Sequence, residues 1–131
     1  VKITIGDSIC LCRVLNYNIL DQLDLIDSQI FVSDFTIYEI KPILDNTKRI
    51  TLQQYLMEKK LLIQEFDEIQ MEGISKIFSK HYQVIAFRDA SSLFLAKQLN
   101  TYLVTDDPVL KNICSNNGIT FKNFDWLYQL I

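Results

Sequence analysis

With 131 residues, 49% of them apolar, the chain is long enough for one well-packed domain, residues 1–131, and too short for two. A net charge of −3 excludes a broad basic nucleic-acid surface, though not a phosphate ligand reached through a bound cation. No apolar run reaches the roughly 18 residues a membrane span needs, so a cytoplasmic protein without a membrane partner is expected.

Val1 to Gly6 alternates and is β-branched, which predicts a first strand ended by Asp7-Ser8. Ile9 to Leu15 is apolar almost all round and reads as a central buried helix. Asn18 is placed to cap a short helix whose inward residues are Ile19, Leu20, Leu23 and Ile26. Gln29 to Ser33 is a second strand. Asp34 opens a helix through Phe35, Ile37, Tyr38 and Ile40, which Pro42 ends or kinks. Asp45 to Arg49 reads as a polar loop, and Thr51-x-x-Gln54 as the capping box of a helix running to about Lys60. Leu61 to Phe66 is a short strand. Asp67-x-x-Gln70 opens a helix to about Lys80 that turns Ile74, Ile77 and Phe78 inward. His81 to Ile85 fits strand or turn.

Ala86 to Asn117 then reads helix, strand, turn, helix, with Tyr102 to Thr105 as the strand and Gly118 as the residue beyond the last helix. Ile119 to Phe121 is a last strand. A closing helical turn from Asp125 packs Trp126, Leu127 and Leu130 back onto the body. Strands alternating with helices predict an α/β fold: three layers, α/β/α, with a mostly parallel central sheet.

Four acidic positions stand out: Asp7, Glu39, Asp89 and the pair Asp106/Asp107. Asp7 and Asp107 lie between a strand and a helix, where aspartate caps free N–H groups, and Pro108 is a favoured first helical residue. Asp89, in the first turn of its helix, suits the helix dipole. Glu39 lies inside a helix among apolar neighbours, where capping does not account for it. Asp7 and Asp107 should share the carboxyl edge of one sheet, where open α/β folds bind ligands. Carboxylates gathered there repel one another unless a cation neutralises them, and an oxygen-only set selects Mg²⁺ or Mn²⁺. Such an ion polarises a phosphoryl oxygen and activates water. The cysteines Cys10, Cys12 and Cys114 have neither metal-ligand spacing nor an even count and read as small buried side chains. Tyr38, Phe94 and Trp126 read as core residues rather than a base-stacking platform.

The order of these pieces resembles the PIN domain, the nuclease fold of VapC-type toxins. It rests on the strand before Asp7-Ser8, VSDFTIYEI with Glu39, RDASSLFLAKQL with Asp89, LVTDDPVLKNICSNNGI with Thr105 and Asp107, and the closing Trp126-Leu127. The resemblance implies that Asp7, Glu39, Asp89 and Asp107 hold a catalytic Mg²⁺ or Mn²⁺, with Asp106 a further ligand or a supporting acid. It also implies that Ser8, Ser92 and Thr105 hold the carboxylates by hydrogen bonds. The implied activity is endonucleolytic cleavage of RNA leaving a 5′ phosphate, by a homodimer inhibited by a small antitoxin. One departure is a scarcity of cations beside the acids. Among Arg13, Lys48, Arg49, Arg88, Lys97 and Lys111, the loop pair Lys48/Arg49 is the expected phosphate contact, and only one of Arg88 and Lys97 should face the metal. The alternative reading is a PIN-like RNA- or protein-binding module without catalysis. A response-regulator receiver does not fit, since its acid pair belongs after the first strand.

Overall fold

The computed structural model describes residues 1–23 and 27–131. Ile26, expected on the inner face of the second helix, lies outside the described residues. The elements in order are β1 (Lys2–Ile5), α1 (Ser8–Asn16), α2 (Ile19–Gln22), β2 (Gln29–Ser33), α3 (Asp34–Ile40), a 3₁₀ turn (Lys41–Ile43) and α4 (Asn46–Met57). There follow β3 (Leu62–Gln64), α5 (Glu68–His81), α6 (Phe87–Leu99), β4 (Tyr102–Val104), α7 (Pro108–Asn116), β5 (Phe121–Lys122) and α8 (Phe124–Gln129).

The five strands form one sheet in the order β3-β2-β1-β4-β5, and every neighbouring pair is parallel. The chain leaves β1 for β2 on one side and reaches β4 on the other, so the order reverses at β1. The crevice between the carboxyl ends of β1 and β4 is therefore the topological switch point. Alternation along the strands divides the core between the two faces. Ile3, Ile5, Val32 and Val104 pack with α1, α3 and α4, whereas Leu103 packs with α5, α6 and α7. Thr4, fully buried in the central strand, shares a 2.6 Å hydrogen bond with the hydroxyl of Thr101.

Several boundaries differ from the sequence expectation. α4 starts at Asn46, because the Asp45 carboxylate accepts from Lys48 N at 2.8 Å. Lys48 and Arg49 are therefore helical, and Thr51 lies inside the helix rather than capping it. Asn18 adopts a left-handed conformation and makes no side-chain cap. His81 to Ile85 is the end of α5 and a turn, with no strand. The Asp67/Gln70 capping box is present on both sides. In α1, Cys10, Leu11, Val14 and Leu15 are buried, but Ile9 is 68% exposed. Tyr38 was expected in the core and is 60% exposed, because α3 buries Thr36, Ile37 and Ile40 and turns Tyr38 outward. Leu130, past the end of α8, is exposed too, whereas Leu127 is buried. Phe94 meets Phe66 edge-on, and the Trp126 ring lies 5.3 Å from that of Tyr102.

Candidate metal centre

Gly6 brings the chain from β1 to Asp7. Its N–H donates to Val104 O at 2.8 Å, and a Cβ there would stand 2.7 Å from the same carbonyl oxygen. Only a glycine lets β1 run this closely past the end of β4. Asp7 follows, 7% exposed, and caps α1: Oδ1 accepts from Cys10 N at 2.8 Å. Its Oδ2 accepts from Thr105 Oγ1 at 2.6 Å. The Thr105 hydroxyl in turn accepts from Asp107 N at 3.1 Å, so one buried threonine ties the ends of β1 and β4 together.

Asp107 caps α7 through Oδ1, which accepts from Val109 N at 2.8 Å. Asp89, third residue of α6, reaches back so that Oδ2 accepts from Ala86 N at 2.9 Å. Glu39 projects from the last turn of α3, and its Oε1 accepts from Ser8 Oγ at 2.9 Å. Thus each of the four acids has at least one oxygen anchored by a donor of the fold. Asp7, Glu39 and Asp107 border one cleft of about 390 Å³ together with Ser8, Arg13, Arg88 and Asp106. A larger open groove of about 640 Å³ runs beside the start of α5. Its acids, Asp67, Glu68 and Glu72, all come from one helix start, so it lacks the convergence of separate elements seen at the strand ends.

The carboxyl of Asp89 is raised above its ordinary range. Burial is the main cause, opposed by the Ala86 N–H and by Arg88 and reinforced by the negative charges of Asp107 and Asp7. That Asp89 feels both places the three acids in one field. Cys10, at the cleft wall, has its thiol pushed far up by burial and then by Asp7 and Asp106. It stays protonated and is no soft ligand, so the donor set is oxygen only, as a hard divalent cation requires. All three cysteines are free, and burial pushes the Cys114 thiol up to about 11.

The carboxylates nonetheless do not form a closed cage: among the described residues no three acidic, histidine or cysteine side chains converge as a ready metal site. Arg88 Nε donates to Glu39 Oε2 at 2.5 Å, and Arg88 Nη1 stands 2.7 Å from Asp89 Oδ1 without the alignment of a hydrogen bond. A guanidinium holds the position between the two acids.

Three sequence expectations need correction. Asp106 is drawn aside: Oδ2 pairs with Arg13 Nη1 at 2.8 Å and Oδ1 accepts from Phe124 N at 3.2 Å. It fastens α1 and the start of α8 to the β4 end, and Arg13 lies over the Phe124 ring. Ser92 bonds no carboxylate; its buried hydroxyl has no partner, because it lies within the α6 packing face, one turn beyond Asp89. Lys48 and Arg49 do not border the cleft. Arg49 donates to Lys41 O and Pro42 O and lines a separate groove with Leu52 and Leu56. The cations at the cleft are Arg13 and Arg88. The adjacency of Arg88 to Asp89 was the only sequence signal for either role, and the pairing of Arg13 with Asp106 spans the whole fold.

No family model and no curated protein sequence matches the chain. Solved structures do. VapBC2 from Rickettsia felis, bound to a DNA fragment from its promoter, superposes with a TM-score of 0.69 and 20% identity, over 94% of this chain and 98% of that one. VapBC-1 from nontypeable Haemophilus influenzae gives 0.60 and 15% over 95% and 98%. FitAcB from Neisseria gonorrhoeae gives 0.54 and 20% over 95% and 98%. The fold is PIN-like: a five-stranded parallel sheet flanked by helices.

Proposed function

We propose that this chain is a metal-dependent endoribonuclease of the PIN type and the toxin of a toxin–antitoxin pair. The observation that carries the reading is the set of acids from four separate elements around the switch point, each with at least one oxygen anchored, Asp7, Glu39 and Asp107 bordering one cleft and Asp89 within reach of the charges of Asp107 and Asp7. Asp7, Glu39, Asp89 and Asp107 would hold Mg²⁺ or Mn²⁺. When bound, such an ion supplies Lewis acidity to a phosphodiester and lowers the pKa of water. Thr105 fixes Asp7, Ser8 fixes Glu39, and the α7 cap fixes Asp107, so these ligands need little reordering. Arg13 and Arg88 supply positive charge at the cleft for the RNA backbone. The 5′-phosphate product, a homodimer, a small antitoxin covering the cleft and a cytoplasmic setting are part of the same proposal, supported by the fold. Among the described residues no helix is long and apolar enough to cross a membrane.

The pairing of Arg88 with two of the four acids favours a second reading, a non-catalytic PIN-like binding module. Asp89→Asn separates the two. For an enzyme, RNA cleavage falls by a factor on the order of 10² or more, while metal-free stability holds or rises, because a buried charge and its repulsion with Asp107 and Asp7 are removed. For a binding module, the parent cuts no RNA and gains no melting temperature from Mg²⁺ or Mn²⁺.

A further inference from the structure

Each of the four acids has two carboxylate oxygens, and a backbone N–H or the Ser8 hydroxyl holds one of each. The remaining four are Asp7 Oδ2, Glu39 Oε2, Asp89 Oδ1 and Asp107 Oδ2. Thr105 donates to the first. Arg88 takes the second and third, through Nε at 2.5 Å and Nη1 at 2.7 Å. The fourth has no side-chain or backbone partner among the described residues. Arg88 is also largely buried, its side chain 17% exposed, and the Nη1 that faces Asp89 lacks an aligned acceptor. A solvated surface arginine would leave neither feature.

We propose that Arg88 is a built-in counter-ion that occupies the acidic cleft in place of a divalent cation, so that metal binding is a displacement of its guanidinium from Glu39 and Asp89. This rests on the reading of the four acids as a metal centre. In the metal-free chain the guanidinium neutralises the buried Asp89 and the opposing Glu39, two charges that would otherwise repel across the α3–α6 gap. A divalent ion needs the same two oxygens. It must also enter a field already reduced by one positive charge, and two cations cannot share those oxygens. Metal affinity is therefore held below what the four acids alone would give.

The test is calorimetric titration of the full chain with MnCl₂, alongside melting temperatures without metal, for the parent, Arg88→Gln and Arg88→Lys. A charge-assisted contact is worth about tenfold or more in an equilibrium constant. Arg88→Gln is therefore expected to bind Mn²⁺ about tenfold tighter than the parent, to melt lower without metal, and to gain more on its addition. Arg88→Lys, which keeps the charge but not the two-pronged contact, should fall between. A merely structural arginine would lower the melting temperature and leave the Mn²⁺ affinity alone. Equal or weaker Mn²⁺ binding by a folded Arg88→Gln overturns the displacement while leaving the metal centre standing. If Arg88→Gln does not fold, Arg88→Lys decides by the same comparison. Failure of parent and variants alike to bind Mn²⁺ removes both the displacement and the metal centre.

Discussion

Replacing Thr105 by valine removes one hydroxyl and keeps the shape. The residue is fully buried at the end of β4, and its backbone N–H still donates to Lys122 O. Two bonds disappear: the 2.6 Å bond donated to Asp7 Oδ2 and the 3.1 Å bond accepted from Asp107 N. The first is to a charge and is worth about 1.5–3 kcal/mol, the second about 0.5–1.5 kcal/mol. Together the loss is about 2–4.5 kcal/mol. Unfolding entropy runs at about 2.1 cal/mol/K per residue, so 131 residues give about 0.28 kcal/mol/K and a fall in melting temperature of about 7–16 °C. Thermal denaturation followed by circular dichroism in metal-free buffer measures it. Thr105→Ser restores the donor and should recover most of the loss. A valine variant within about 2 °C of the parent, the scale of an ordinary surface substitution, would refute the claim that Thr105 ties Asp7 to the β4 end.

Two further outcomes follow from packing and charge. On Gly73 a Cβ would stand 2.5 Å from Cε2 of Phe94 in α6, so Gly73→Ala, although it gains about 1 kcal/mol of helix propensity, should lower the melting temperature through overpacking. Combining it with Phe94→Leu should cost less than the two single changes added, and strict additivity in that double-mutant cycle would contradict the contact. The carboxyl of Asp34 is raised, first by burial and then by Glu65, and its Oδ1 lacks a partner. The folded state thus holds its proton to higher pH than the unfolded chain, and the parent loses stability as pH rises from the ordinary value of 3.8 through the raised one. Asp34→Asn should be the more stable at neutral pH, with the difference shrinking as pH falls through that window; urea titrations at several pH values would show the opposite trend if Asp34 were favourably paired.

The sequence made the architecture legible because its strongest signals are local. Strand-to-helix junctions at Asp7 and Asp107 carry their own caps, the Asp67/Gln70 box is a four-residue pattern, and Gly118 takes the positive φ of 69° that ends α7. What failed was tertiary or weakly periodic. The first turn of α4 is polar and exposed, so no apolar stripe marks its start and the later Thr51-x-x-Gln54 pattern competed with Asp45. Tyr38 sits beside Ile37 in a seven-residue helix, too short for periodicity to decide which of the two turns inward. The partner of Arg13 is 93 residues away, and nothing local could assign it to Asp106. Arg88 next to Asp89 was visible, but the side chain's route across to Glu39 depends on how α6 packs against α3.

Capping and metal binding are not rival explanations for these acids. A cap engages one carboxylate oxygen: Asp7 Oδ1 at α1, Asp89 Oδ2 at α6 and Asp107 Oδ1 at α7. The other oxygen of each is left to something else. Three helix N-termini therefore present their positive ends to these acids, which offsets part of the repulsion of gathering them before any cation arrives. An aspartate at the start of a helix consequently carries the same sequence signal whether it only caps or also binds, and for Asp7, Asp89 and Asp107 that signal alone cannot distinguish the two. Glu39 is different. It lies in the last turn of α3, where an acid opposes the helix dipole and caps nothing, and it is held by Ser8 and Arg88 from two other elements. An acid placed against local preference and steadied from outside its own helix is the residue whose presence the fold alone does not explain.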